Sequence, residues 1–512
     1  MPCRRMMVTQ MTNDAPPRGT DLSTAPKKSG PFKPGLLIAI ISLFAIMALP
    51  TPEGLPLAGQ RMLAIFVFAV VIWITEALDY AISAVVIAAL MAVLLGLSPD
   101  VADPATLMGT PKGLSAAING FSSRALTLVA AALFLSAAMT LTGLDRRIAL
   151  NVLSRVGSKT SHVLIGGIVV ATLLAFLVPS ATARAAAVIP IMMGIIVAFG
   201  AGKQSRFAGL LIITTVQAVS IWNVGIKTAA AQNMVAIGFL QREFGLDITW
   251  LDWFIAAAPF SLVMSVGLYF IMMWMMPPEH DELPGGKESI TKSLSEIGPM
   301  SAPEKRLLAI SLTLVFCWAT EGILHSFDSS TITVIAVALL FLPGIGVMNW
   351  KAANPQIPWG TIVLFGVGIS LGSALLMTGA APWLARFAVD LFGLSALGPL
   401  TILAVLGVFL IIIHLGFASA TALASAMIPI VMSVLQQVET AGINAFGMTI
   451  LLQFVVSFGF ILPVNSPQGM VAHGTGTFMV RDFIRTGLAL TVLAYVLTLI
   501  FGATYWKWLG LI

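Results

Sequence analysis

The sequence predicts an all-α polytopic membrane protein: about eleven transmembrane helices plus two re-entrant hairpins, arranged as two inverted repeats. Three observations carry this. The chain of 512 residues is 58% hydrophobic and 10% charged, with mean hydropathy +0.98, whereas soluble chains carry about 25% charge. A segment occurs twice: from Ser180 and from Ser419, ten of fourteen positions are identical at an offset of 239. Other landmarks repeat at nearly the same spacing. Trp73-x-Thr-Glu76 matches Trp318-x-Thr-Glu321 at 245, Thr142-Gly143 matches Thr378-Gly379 at 236, and Gln217 and Gln232 match Gln453 and Gln468 at 236.

Residues 1–34 read as a disordered cytoplasmic tail, rich in Pro, Ser, Thr and Lys and without an apolar core of its own. Residues 35–50 form the first transmembrane helix. Repeat 1 occupies 57–278. Its spans are expected at Arg61–Leu78, Ala81–Leu97, Ala125–Leu144, Phe207–Leu240 and Trp253–Met276, with a hairpin at 161–200. The span from Phe207 is interrupted by Gly225, Lys227, Thr228, Gln232 and Asn233. Residues 279–304 read as a polar cytoplasmic linker. Repeat 2 occupies 305–510, with spans at Leu307–Leu324, Ile332–Val347, Thr361–Ala381, Phe446–Met479 and Leu488–Trp508, and a hairpin at 400–438. The span from Phe446 breaks at Asn465-Ser-Pro-Gln-Gly469. Five spans per repeat is an odd number, so the second repeat inserts upside down.

Loop charge sets the expected orientation. With the N-terminus inside, 19 Lys/Arg fall on cytoplasmic segments and 6 on external ones, the positive-inside bias. That predicts an integral protein of a bacterial inner (plasma) membrane with a cytoplasmic N-terminus. The net charge of +5 belongs to these loops and is no nucleic-acid signal. Cys3 and Cys317 are far apart and suggest neither a disulfide nor a metal site. There is no P-loop, no Gly-x-Ser-x-Gly and no His-Glu-x-x-His. An enzyme is not expected, nor a cofactor. An intramembrane enzyme built on Ser180 and His414 is a remote alternative, because catalysis rarely needs two equivalent serines.

The paired Ser-x-Thr tips and paired broken spans resemble the divalent anion/sodium symporter family of di- and tricarboxylate transporters. The likeness extends over roughly 35–510. It implies that Ser180, Thr182, Ser419 and Thr421 hold substrate carboxylates, and that the protein works as a homodimer by an elevator-type movement in the bilayer. The family motif is Ser-Asn-Thr, but both Asn positions are Ala here, Ala181 and Ala420. A sodium site would lie near Ser180, Ala181, Ser419 and Ala420, and losing both Asn residues argues against sodium coupling. The Ser-x-Thr-Ala-Arg pattern is similar to the citrate/succinate and 2-oxoglutarate/malate exchanger branch. The expected function is therefore sodium-independent exchange of di- or tricarboxylates. Sodium-coupled dicarboxylate or sulfate symport is the alternative.

The residues themselves support an anion site. Short hydroxyls beside helix N-termini suit a carboxylate, although the same hydroxyls can simply bond backbone at a turn. Arg184 stands one turn into the second hairpin helix, where the helix dipole disfavours it and an apolar setting makes it costly. Its charge calls for substrate, or for a carboxylate such as Glu76 or Glu321. His414 approaches the second tip, and Lys227 lies in the first broken span. Asn233 and Gln468 either contact substrate through their amides or satisfy broken backbone.

Overall fold

The computed structural model describes residues 33–157, 159–279, 286–438 and 442–512. The expected N-terminal tail, up to residue 32, and linker residues 280–285 lie outside them. Every regular element among the described residues is helical. The helices are α1 (Pro34–Ala48), α2 (Leu57–Thr75), α3 (Tyr80–Gly96), α4 (Thr110–Ile118), α5 (Arg124–Thr142), α6 (Leu144–Leu153), α7 (Thr160–Leu177), α8 (Ala181–Ala198), α9 (Arg206–Gly225), α10 (Ala231–Phe244) and α11 (Trp250–Met275). Then come α12 (Gly286–Ile297), α13 (Ala302–Ala319), α14 (Ser329–Phe341), α15 (Trp350–Ala353), α16 (Trp359–Met377), α17 (Ala380–Phe392), α18 (Pro399–His414), α19 (Ala420–Gln437), α20 (Ala445–Val456), α21 (Pro467–His473), α22 (Val480–Ala503) and α23 (Tyr505–Trp508). Nine of the described helices are long and apolar enough to cross a bilayer, and five more are apolar but shorter.

The order of α2–α11 recurs in α13–α22, element for element. Equivalent side chains make equivalent bonds. Trp73 Nε1 donates to Ser83 Oγ at 3.0 Å, and Trp318 Nε1 donates to Thr333 Oγ1 at 3.1 Å. These bonds satisfy a buried indole where it joins α2 to α3 and α13 to α14. Helices α8 and α19 begin alike, with Ser180 at φ −146°, ψ 115° and Ser419 at φ −141°, ψ 116°. Each carries one interior proline, Pro190 or Pro429.

Several boundaries depart from the sequence expectation. Helix α2 starts at Leu57 rather than Arg61, since Pro56 sets the turn before it. Its C-terminus is capped by Glu76, the one described non-glycine with positive φ, 47°. Lys33 Nζ donates to that residue's carbonyl at 2.6 Å. Helices α4 and α17 lie wholly or mostly outside the expected spans and hairpins. Between the expected span Ala125–Leu144 and the hairpin lies helix α6, turned away by Gly143 at φ +74°. Its Arg147 is buried and pairs with Glu304 at 2.6 Å. A window that averages hydropathy passes over such short amphipathic helices. Helix α22 begins at Val480, eight residues before the expected Leu488, because its first turns carry Arg481, Asp482 and Arg485.

The broken spans form the centre. In the first, α9 ends at Gly225 and a 3-10 turn, Lys227–Ala229, precedes α10. In the second, α20 ends at Val456 and a 3-10 turn, Pro463–Asn465, precedes α21. Four buried glutamines tie the two together. Gln217 Nε2 donates to Phe460 O at 2.9 Å, and Gln453 Nε2 to Asn233 Oδ1 at 3.4 Å. Gln468 Nε2 donates to Ser220 Oγ at 3.0 Å, and Gln232 Nε2 to Ser457 Oγ at 3.4 Å. Each repeat thus reaches into the other with the same two positions.

Candidate functional site

The hairpin tips and both breaks converge on one cavity of about 730 Å³. Ser180 and Thr182 line it from one tip, Ser419 and Thr421 from the other, and Gln232 and Gln468 from the breaks. Three helices of 14 to 18 residues, α8, α10 and α19, start on its wall. Ser466, ahead of α21, lines it too. The unpaired N–H groups and positive dipole ends of those helices face the same space.

The serines and threonines of the tips divide the work. Ser180 Oγ accepts from Ala183 N and Ser419 Oγ from Ala422 N, both at 3.3 Å. Each serine caps its helix with a lone pair and keeps its O–H proton to donate. Among the described residues, no partner is recorded for the Thr182 or Thr421 hydroxyl, so both are free for a ligand.

Among the described residues no Lys, Arg or His lines the cavity; the charged lining residues are Asp79 and Asp145. Arg184 is fully buried. Its Nη2 donates to Asn223 Oδ1 and, at 3.0 Å, to Ala229 O. Nε and Nη1 have no partner among the described residues. The expected carboxylates are elsewhere: Glu76 is exposed at the end of α2, and Glu321 accepts from Ser329 N and Oγ. Arg184 still touches the cavity wall indirectly, because Asn223 lines it.

The structure separates the nine candidates. Ser180, Thr182, Ser419, Thr421 and Gln468 line the cavity, and Arg184, His414, Lys227 and Asn233 do not. His414 is 2% exposed, and neither ring nitrogen is bonded among the described residues. Asn233 Nδ2 donates to the carbonyls of Asn223, Ile226 and Lys227 at 2.7, 3.3 and 3.4 Å. Lys227 turns away, its Nζ donating to Ile248 O at 2.7 Å. It borders a small second cavity with Arg124, Asp247, Glu321 and Asp328. The acceptor of Lys227 lies in the loop between α10 and α11, whereas Arg184 and Asn233 share one cause. A broken helix leaves carbonyls without partners, and nearby N–H donors are drawn to them.

Sequence reasoning missed Asn223, Thr228, Gln232, Ser457, Asn465 and Ser466, all of which line the cavity. The Gln232/Gln468 repetition was the signal for one of them. Asp145 was also missed; it sits at the start of α6, 6% exposed, with its Oδ1 accepting from Arg146 N at 2.7 Å. Gln356 lines the cavity together with Asp79 and Asp145.

An all-helical fold with two mirrored sets of broken helices around an anion-suited cavity is the architecture of a membrane transport protein. The sodium:sulfate symporter transmembrane region family matches residues 33–512, and the chain belongs to that family. It is 56% identical over 476 residues to a membrane protein of Cupriavidus necator, covering 93% of each chain. It is 25% identical over 488 residues to the sodium-dependent dicarboxylate transporter SdcS of Staphylococcus saprophyticus, covering 90% of this chain and 89% of that one. The crystal structure of the Alcanivorax borkumensis YdaH transporter matches with TM-score 0.53 at 14% identity, over 83% of this chain and 97% of that one. That last likeness concerns the fold.

Proposed function

We propose that this chain exchanges one dicarboxylate for another across the membrane without sodium. The observation that carries the reading is the pairing of two sets of groups. Ser180, Thr182, Ser419 and Thr421 stand at helix N-termini on a wall that has no cationic side chain among the described residues. Behind that wall Arg184 has no carboxylate partner among the described residues. Two hydroxyl-bearing tips suit the two ends of a dicarboxylate. The charge of Arg184 reaches the bound anion through Asn223.

The coupling follows from electrostatics. Arg184 stays in the protein when the anion leaves, and an uncompensated charge is costly in a low-dielectric interior. Return with a second anion avoids that cost, so exchange is favoured over empty return. The movement is taken to be elevator-like and the assembly a homodimer in a bacterial inner membrane. The N-terminus is taken to be cytoplasmic. The finer reading within the family is the exchanger branch.

Liposomes loaded with dicarboxylate should take up labelled dicarboxylate in sodium-free buffer, and empty liposomes should not. Concentrative uptake into empty liposomes driven by a sodium gradient would overturn exchange. It would favour sodium symport, the second reading, which the name of the staphylococcal relative supports.

A further inference from the structure

Helix α18 ends at His414, and the turn after it, closed by Phe417 N donating to His414 O at 3.0 Å, brings several carbonyls close together. Three of them converge on one atom. Asn465 Nδ2 donates to His414 O at 2.9 Å, to Phe417 O at 2.9 Å and to Leu415 O at 3.4 Å. Asn465 is 2% exposed, and its Oδ1 accepts from Leu462 N at 3.2 Å. It also lines the cavity. Carbonyls at a helix C-terminus, beside an unwound segment, form the kind of oxygen cluster that holds a monovalent cation in transporters. Here that cluster receives amide protons instead.

The other repeat has a donor at the corresponding junction. Residue 229 corresponds to 465 at the offset of 236, and Ala229 O receives Nη2 of Arg184 at 3.0 Å. Arg184 corresponds to Leu423 at the offset of 239. In repeat 1 the hairpin supplies the donor to the break, and in repeat 2 the break supplies it to the hairpin. An N–H group and a cation compete for the same lone pairs, so these carbonyls do not fit a bound sodium ion while Asn465 is in place.

We propose that the carbonyls of His414, Leu415 and Phe417 are a monovalent-cation cage plugged by the Asn465 amide, and that removing the amide opens it. The inference rests on the sodium-independent part of the reading above and explains it by one side chain. Asn465→Asp is the informative change. It keeps the shape and the bond to Leu462 N but exchanges two N–H donors for lone pairs and a negative charge. The cage then has three carbonyls and a carboxylate, and needs a cation.

The test is thermal melting of purified full-length protein in NaCl against choline chloride at constant ionic strength. The wild type is expected to melt alike in both. Asn465→Asp is expected to melt lower in choline and to gain several degrees in sodium, saturating with concentration as a bound ligand does. Folding is checked by stabilisation on adding succinate. If Asn465→Asp does not fold in either salt, Asn465→Ala is read by equilibrium binding of radioactive sodium, with a gain over wild type expected. Saturable sodium stabilisation of the wild type would overturn the proposal. So would a folded Asn465→Asp that melts alike in both salts, or an Asn465→Ala that gains no sodium binding. Exchange in sodium-free liposomes is measured separately, so the transport reading and the cage can fail independently.

Discussion

Arg184 and Ala229 are joined by a bond of 3.0 Å from guanidinium Nη2 to backbone carbonyl. It pins the first hairpin helix to the break in α9–α10, and it places a full charge directly behind the cavity wall. The charge is held by an amide oxygen and a carbonyl rather than by a carboxylate. Replacing Arg184 with Ala should therefore weaken dicarboxylate binding and relax the need for internal substrate together. A penalty of about 4 kcal/mol on empty return slows it roughly a thousandfold, and this variant should recover much of that. Uptake into empty and loaded liposomes is the measurement. Exchange that survives unaltered would make Arg184 a purely structural pin.

The tip hydroxyls give a second expectation. Thr182→Val and Thr421→Val each remove a donor to a charged ligand and should each cost about 1.5–3 kcal/mol of binding. Calorimetric titration of folded protein with succinate measures this. Affinity unchanged in both variants takes the threonines out of the site.

The repeat makes a topological prediction. Lys203→Cys, between α8 and α9, and Ile443→Cys, between α19 and α20, should react with a membrane-impermeant thiol reagent from opposite faces. Reaction from one face would contradict inverted repeats.

The buried pair of Arg147 and Glu304 should matter for stability. Two bonds join the side chains, 2.6 Å from Nε and 3.2 Å from Nη2, and Arg147 Nη1 also donates to Gly298 O at 2.8 Å. Glu304→Gln leaves a buried guanidinium without its counter-charge, at a cost of about 3–5 kcal/mol. Melting should show a large loss, and Arg147→Met combined with Glu304→Leu should recover most of it.

Asp145 predicts a pH dependence. Burial pushes its carboxyl above the ordinary carboxylate range, and it lines the cavity. Below that raised value the group is neutral. Above it, a negative charge opposes the substrate. Apparent affinity for a strong-acid anion such as sulfate, or for succinate corrected for its own ionisation, should fall as pH rises through that value. Asp145→Asn should remove this dependence, and an unchanged profile would clear Asp145 of the role.

Much of the architecture was legible because it is written in hydropathy and in duplication. The tips were found because Ser-Ala-Thr-Ala and its proline recur at a fixed offset, and breaks were found because Gly, Pro, Asn and Gln interrupt apolar runs. Helices α4, α6 and α17 were not found, since short amphipathic segments beside a span look like loops to a hydropathy average. Asn223 and Ser457 were missed because a single polar residue inside an apolar helix carries no sign of which way it faces.

The sequence by itself determined that this is a polytopic helical membrane protein, built twice over, with hydroxyl-bearing tips in each half. Those are properties of local composition and repetition. Only the tertiary structure decided where the buried polar groups point. Lys227 and Asn233 stand in a break and looked like site residues, yet Lys227 bonds Ile248 O in the loop between α10 and α11, and Asn233 bonds carbonyls at the end of the interrupted helix. Asn465 does the same for the end of α18. In a medium without water an unsatisfied carbonyl is costly. A donor therefore goes to the nearest one in space, and that is set by packing between segments far apart in the chain.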